Sequence, residues 1–74
     1  MKRRRTLIAE RIRETREGEG LNLRQAAEIV ETAAPVWRMW ELTGDDQRLP
    51  SASALVRIAE EFDVSTDWLL GLED

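Results

Sequence analysis

A chain of 74 residues, 42% hydrophobic and 35% charged, makes one small domain whose core needs nearly every apolar helix face. It has no cysteine, histidine or tyrosine, which removes disulfides, thiolate metal sites, the commonest general base and the thiol nucleophile, so no enzyme is expected. The apolar runs are too short to span a bilayer, no apolar leader follows the basic start Met1-Lys2-Arg3-Arg4-Arg5, and the lack of cysteine fits a reducing, cytoplasmic setting.

Sparse glycine and the lack of alternating β-branched residues argue against sheet, so the elements are expected to be helices. The first runs from about Thr6 to Glu17, with Ile8 and Ile12 on one face, and Gly18 and Gly20 stop it. Asn22 opens the second, and Gln25 three residues later completes a capping-box pattern. Ala26, Ala27, Ile29 and Val30 are its apolar content, and the Ala26-Ala27 pair leaves room for a close neighbour. After a break at Glu31-Thr32-Ala33, Pro35 suits the first turn of a third helix from about Ala34 to Leu42. Residues 43–48 read as a surface loop. Ser51 caps a fourth helix whose buried stripe is Leu55, Ile58, Ala59 and Phe62, ended by Asp63. Ser65 caps a short fifth helix carrying Trp68, Leu69 and Leu70, with Asp67 in its first turn and Gly71 closing it.

The charges are divided unevenly. Residues 1–38 hold nine Lys/Arg against six Asp/Glu, or +3, and residues 39–74 hold two against nine, or −7, for a net charge of −4. Ten of the eleven cations are arginine. Either phosphate recognition, for which arginine is the better fork, or a GC-rich genome accounts for that bias. Ser51 and Ser65 are expected as caps rather than nucleophiles. Glu60, Glu61 and Asp63, like Asp45-Asp46, are expected to be solvated faces, because no liganding loop accompanies them. No cofactor and no metal are expected.

Two short helices joined by a tight break form a helix-turn-helix pattern over about residues 22–42. The run Leu21-Asn22-Leu23-Arg24-Gln25-Ala26-Ala27-Glu28 followed by Trp37-Arg38-Met39-Trp40-Glu41 resembles the Cro and lambda-type repressor family of helix-turn-helix domains. Downstream, Leu49-Pro50-Ser51, Leu55, Ile58-Ala59, Phe62 and Val64-Ser65-Thr66-Asp67-Trp68-Leu69-Leu70 continue the resemblance, which covers roughly residues 7–72. It implies an all-α, five-helix domain over residues 7–72, preceded by a basic arm over 1–6, with helix three laid in the DNA major groove. It also implies that Ala27 lies where helices two and three touch, that Trp37 and Trp40 are core, and that Arg16 and Glu41 form an internal ion pair.

The chain departs from that family where contact with DNA is made. Leu23 stands where a phosphate-gripping Gln is usual, and Glu31 stands where the turn usually has glycine. Ala33, Ala34, Pro35 and Met39 occupy positions that normally carry base-reading polar side chains. Two readings follow. In the first, the chain is a sequence-specific, phage-like repressor that binds double-stranded DNA as a homodimer, through Leu49-Pro50 and helix five with Leu70 and Leu72 exposed. Arg38 then reads a base, Ala34, Pro35 and Met39 line the groove, Asn22, Arg24 and Arg48 hold phosphates, and the arm with Arg3, Arg4 and Arg5 reaches the backbone or a minor groove. In the second, the apolar face of helix three (Ala33, Ala34, Pro35, Met39 and Leu42) binds a protein partner, as an antitoxin, antirepressor or host-factor inhibitor would. Neither reading involves a membrane.

Overall fold

Ile8, Ala9 and Ile12 turn one side of the first helix into the core. In the computed structural model, which describes residues 4–73, that helix is α1, Arg4–Gly18. Arg4 and Arg5, before the expected start at Thr6, are already part of it. A contact distant in the chain accompanies this turn: the buried Gln47 donates through Nε2 to the Arg5 carbonyl at 2.8 Å, and the Arg5 guanidinium donates back to the Gln47 carbonyl at 3.5 Å. Arg4 and Arg5 are helical rather than part of a free arm, and Arg3 lies outside the described residues.

Four further helices follow: α2 (Leu23–Ile29), α3 (Ala34–Glu41), α4 (Ala52–Phe62) and α5 (Thr66–Leu69), with a 3₁₀ turn at Gly44–Asp46 in the loop after α3. Among the described residues the fold is all-α. The expected caps form. The Gln25 amide donates to Asn22 Oδ1 at 2.8 Å and the Asn22 amide to Gln25 Oε1 at 2.9 Å, a complete capping box. Ser51 accepts from the Ala54 amide at 3.1 Å and Ser65 from the Trp68 amide at 3.0 Å. Ala33 supplies no side-chain cap to α3, which relies on Pro35 in its first turn.

Four helix ends are closed by the same device, a left-handed residue whose flanking amides turn back onto the last helical carbonyls. Gly20 (φ +67°) and Gly71 (φ +77°) do this after α1 and α5, while Glu31 (φ 59°) and Asp63 (φ 54°) do it after α2 and α4. A Cβ at Gly71 would also stand 2.9 Å from Leu7 Cδ2, so that side-chain end would have to shift. Glu31 accepts strain that glycine would avoid, and Arg57 of α4 holds its carboxylate. The left-handed strain is about 1–2 kcal/mol, against about 0–1 kcal/mol for an ion pair this exposed. Glu31→Gly is therefore expected to be at least as stable as the native chain and about 1 kcal/mol more stable than Glu31→Ala. Thermal melts rank the three, and equal stability of the Gly and Ala variants would remove the strain argument.

The core joins Ile8 and Ile12 of α1, Ala26 and Ala27 of α2, Trp37 and Trp40 of α3, Ile58 and Phe62 of α4, and Leu69 of α5. The small side chains of Ala26 and Ala27 are fully covered and let α3 approach α2 closely. The Trp37 ring lies 5.4 Å from that of Trp40 and 5.9 Å from that of Phe62, both tilted, the spacing aromatic pairs favour. Leu70 packs partly against this cluster rather than standing free, whereas Leu72 is exposed. Arg11 of α1 lies over the Trp68 ring at 4.9 Å and donates to the carbonyls of Trp68 and Glu73, fastening the chain end to α1.

Candidate nucleic-acid interface

The position of α3 is set from beneath by one polar cluster. Arg16 Nε donates to Glu41 Oε2 at 2.6 Å and Arg16 Nη2 to Glu41 Oε1 at 2.9 Å, a two-pronged pair. Arg16 Nη1 also donates to the Leu21 carbonyl at 2.9 Å, and Trp37 Nε1 donates to Glu41 Oε2 at 2.5 Å. The Arg16–Glu41 pair thus ties α1, the α1–α2 link and α3 together. The Glu41 hydrogen bond raises the Arg16 pKa, against the opposing effect of burial. The pair that the resemblance implied is present and belongs to the fold, not to a contact surface.

With Trp37 and Trp40 turned inward, a rotation of about 100° per residue turns Pro35, Arg38 and Met39 outward. Arg38 and Pro35 are exposed, Met39 is 38% exposed, and Ala34 is half-buried. The Arg48 amide donates to the Met39 carbonyl at 3.1 Å, which brings the post-helix loop alongside the end of α3. Arg48 thereby joins the α3 residues although nine positions separate it from Met39. Arg24 projects from the first turn of α2, with 3.8 Å between its Nε and Glu28 Oε1. Asn22 stands beside it, but its Oδ1 is already committed to the cap. Leu23, where the family usually has Gln, is half-buried against the core.

From the sequence, Val36 is not expected on this face, and Leu49 is expected only at the homodimer contact. Val36 is 43% exposed and Leu49 47% exposed, and both line the open groove between α3 and α4. They extend the apolar strip of Pro35 and Met39 toward α4. Val36 was legible in principle, since it lies four positions before the buried Trp40 and so at the margin of the core face. Leu49 was not, because only the tertiary fold brings it there. Its neighbour Pro50 is buried.

The arginines sort into two groups. Arg5, Arg11, Arg13, Arg16 and Arg57 are engaged within the chain by hydrogen bonds or close ion pairs. Arg4, Arg38 and Arg48 have no side-chain partner among the described residues, and Arg24 has only its loose contact with Glu28. Of these four available cations, three lie on or immediately after the α2–turn–α3 unit.

Residues 9–74 match the helix-turn-helix domain family, and the chain belongs to it. Domains of this class are DNA-binding regulatory modules. No curated protein and no solved structure matches the chain. Among the described residues, no group of three or more His, Cys, Asp or Glu is placed to hold a metal ion, and no helix is long and apolar enough to cross a membrane.

Proposed function

We propose that this domain is a sequence-specific DNA-binding transcriptional regulator of the repressor type, acting in the cytoplasm as a homodimer on two half-sites. The observation that carries the reading is the sorting of its arginines. A chain of net charge −4 engages five of its described arginines internally and leaves four available, of which Arg24, Arg38 and Arg48 belong to α2, α3 and the loop that follows α3. In this reading α3 enters the major groove, and Arg38 donates to a guanine edge. Arg24, Arg48 and Asn22, through its amide nitrogen, hold phosphates on either side. Arg4 and Arg5 are the described residues of the basic N-terminal segment that contacts the DNA backbone in this reading, Arg5 contributing less because Gln47 already engages it.

The test is binding of the full chain to the DNA flanking its own gene, and to duplexes selected from a random pool, across a salt series. A saturable complex of two chains per palindromic site, with affinity falling steeply as salt rises, is the expected result. Arg38→Ala is expected to lose about 1–3 kcal/mol of specific binding, or roughly 5- to 150-fold, with non-specific binding little changed. An unchanged specific affinity would remove Arg38 from the readout.

The exposed strip of Val36, Met39 and Leu49 favours a second reading, in which α3 docks on a protein partner as an antitoxin, antirepressor or inhibitor does. Absence of any specific duplex at low salt, together with capture of a partner that Met39→Asp abolishes, is the result that would replace the first reading by this one.

A further inference from the structure

The outermost residues of α3 are chemically unusual for a helix that reads base edges. Arg38 is the one outward side chain on α3 able to donate a strong hydrogen bond. Pro35 lies at the centre of the outward face, with Met39 one turn further on and Arg38 beside it. Ala33 and Ala34 stand at the N-terminal end of α3, the end that reaches base edges in this docking geometry. The side chains of Ala33, Ala34, Pro35 and Val36 can satisfy neither the amino donor of cytosine or adenine nor the acceptors of guanine, and the Met39 thioether is only a weak acceptor. Pressed against those groups, they would strip water from them and return little or nothing. One major-groove feature suits them: the 5-methyl group of thymine, which cytosine lacks.

Resting on the DNA-binding reading above, we propose that α3 reads its operator chiefly through thymine methyl groups. Each half-site is then a short A·T-rich run whose methyls meet Ala34, Pro35 and Met39, beside one guanine held by Arg38. The exposure of Met39 has a use on this account, because its flexible thioether side chain can follow a row of methyls that a rigid polar side chain could not. The unpartnered Arg38 beside that strip supplies the fixed point of register.

Replacing thymine by deoxyuridine removes the 5-methyl and leaves the pairing edge intact. Replacing guanine by 7-deazaguanine removes the N7 acceptor. With the full chain and the duplex it selects from a random pool, each deoxyuridine at a contacted position is expected to weaken binding about fourfold, the equivalent of one buried methyl group. In Met39→Ala, a residue outside the core, at least one position is expected to lose its deoxyuridine sensitivity. The 7-deazaguanine duplex is expected to weaken the native chain but not Arg38→Ala. A selected operator bound equally well with every thymine replaced would overturn the proposal while leaving the DNA-binding reading intact. So would a deoxyuridine effect undiminished in both Met39→Ala and Pro35→Ala, since the methyls would then act through DNA shape rather than contact. Failure to select any specific duplex would overturn both.

Discussion

Replacing Trp37 by alanine is expected to destabilise the domain by about 3–5 kcal/mol, the range for emptying a large aromatic site in a packed core. Trp37 is wholly buried, lies against Trp40 and Phe62, and is the largest fully buried side chain. A single domain of 74 residues is held by about 4–11 kcal/mol in total, so the variant should lose a large share of its stability and melt many degrees lower. Little can collapse into the space, because the neighbours on α2 are Ala26 and Ala27, too small to reach in. Trp37→Phe separates two contributions, since it retains most of the ring packing but drops the indole donor to Glu41. It should cost less than the alanine variant, by chemical denaturation monitored through helical circular dichroism. A Trp37→Ala chain that melts within a few degrees of the native one would mean that the core is organised around some other residue.

The second large effect is expected at Glu41. Its carboxylate accepts from two nitrogens of Arg16 and from the indole of Trp37, and the side chains of Arg16 and Glu41 are only 14% and 9% exposed. At that burial the value for an exposed pair does not apply, and removing one partner strands the other. Glu41→Ala is therefore expected to cost about 3–5 kcal/mol. Replacing both partners by apolar residues should recover only part of that loss. The indole N–H of Trp37 and the Leu21 carbonyl would each still lack a partner, at about 1–3 kcal/mol apiece. A double-mutant cycle with Arg16→Met and Glu41→Leu measures this directly, and full recovery in the double variant would show that the pair acts alone. On the arginine side no alkaline sensitivity is expected within ordinary assay conditions. The pKa of Arg16 is raised on folding, so its contribution is complete below the unfolded value and is lost only above an arginine range already far from neutral.

Much of the architecture was written locally. The capping box of Asn22 and Gln25, the caps at Ser51 and Ser65, the proline in the first turn of α3 and the stripe of α4 all involve residues three or four positions apart. Backbone and side chains at that spacing meet in any helix, so the periodicity of the chain determined five helices, their order and most of their inward faces. The belonging of the two tryptophans to the core, and the pairing of Arg16 with Glu41, were legible through resemblance, because a shared fold reproduces its central contacts.

The candidate surface was only half legible. Which arginines remain available depends on partners 26 to 62 positions away: Glu31 for Arg57, Gln47 for Arg5, Trp68 and Glu73 for Arg11. Arg4 and Arg5 of the apparent N-terminal arm belong to α1, where Arg5 meets Gln47. The strip of α3 acquired Leu49 and Arg48 where the loop closed onto the Met39 carbonyl. Local sequence determined the helices and the cast of charged and apolar residues. Tertiary structure decided which of them are spent inside the domain and which remain to meet a partner, because a side chain's availability is set by whatever the fold brings next to it.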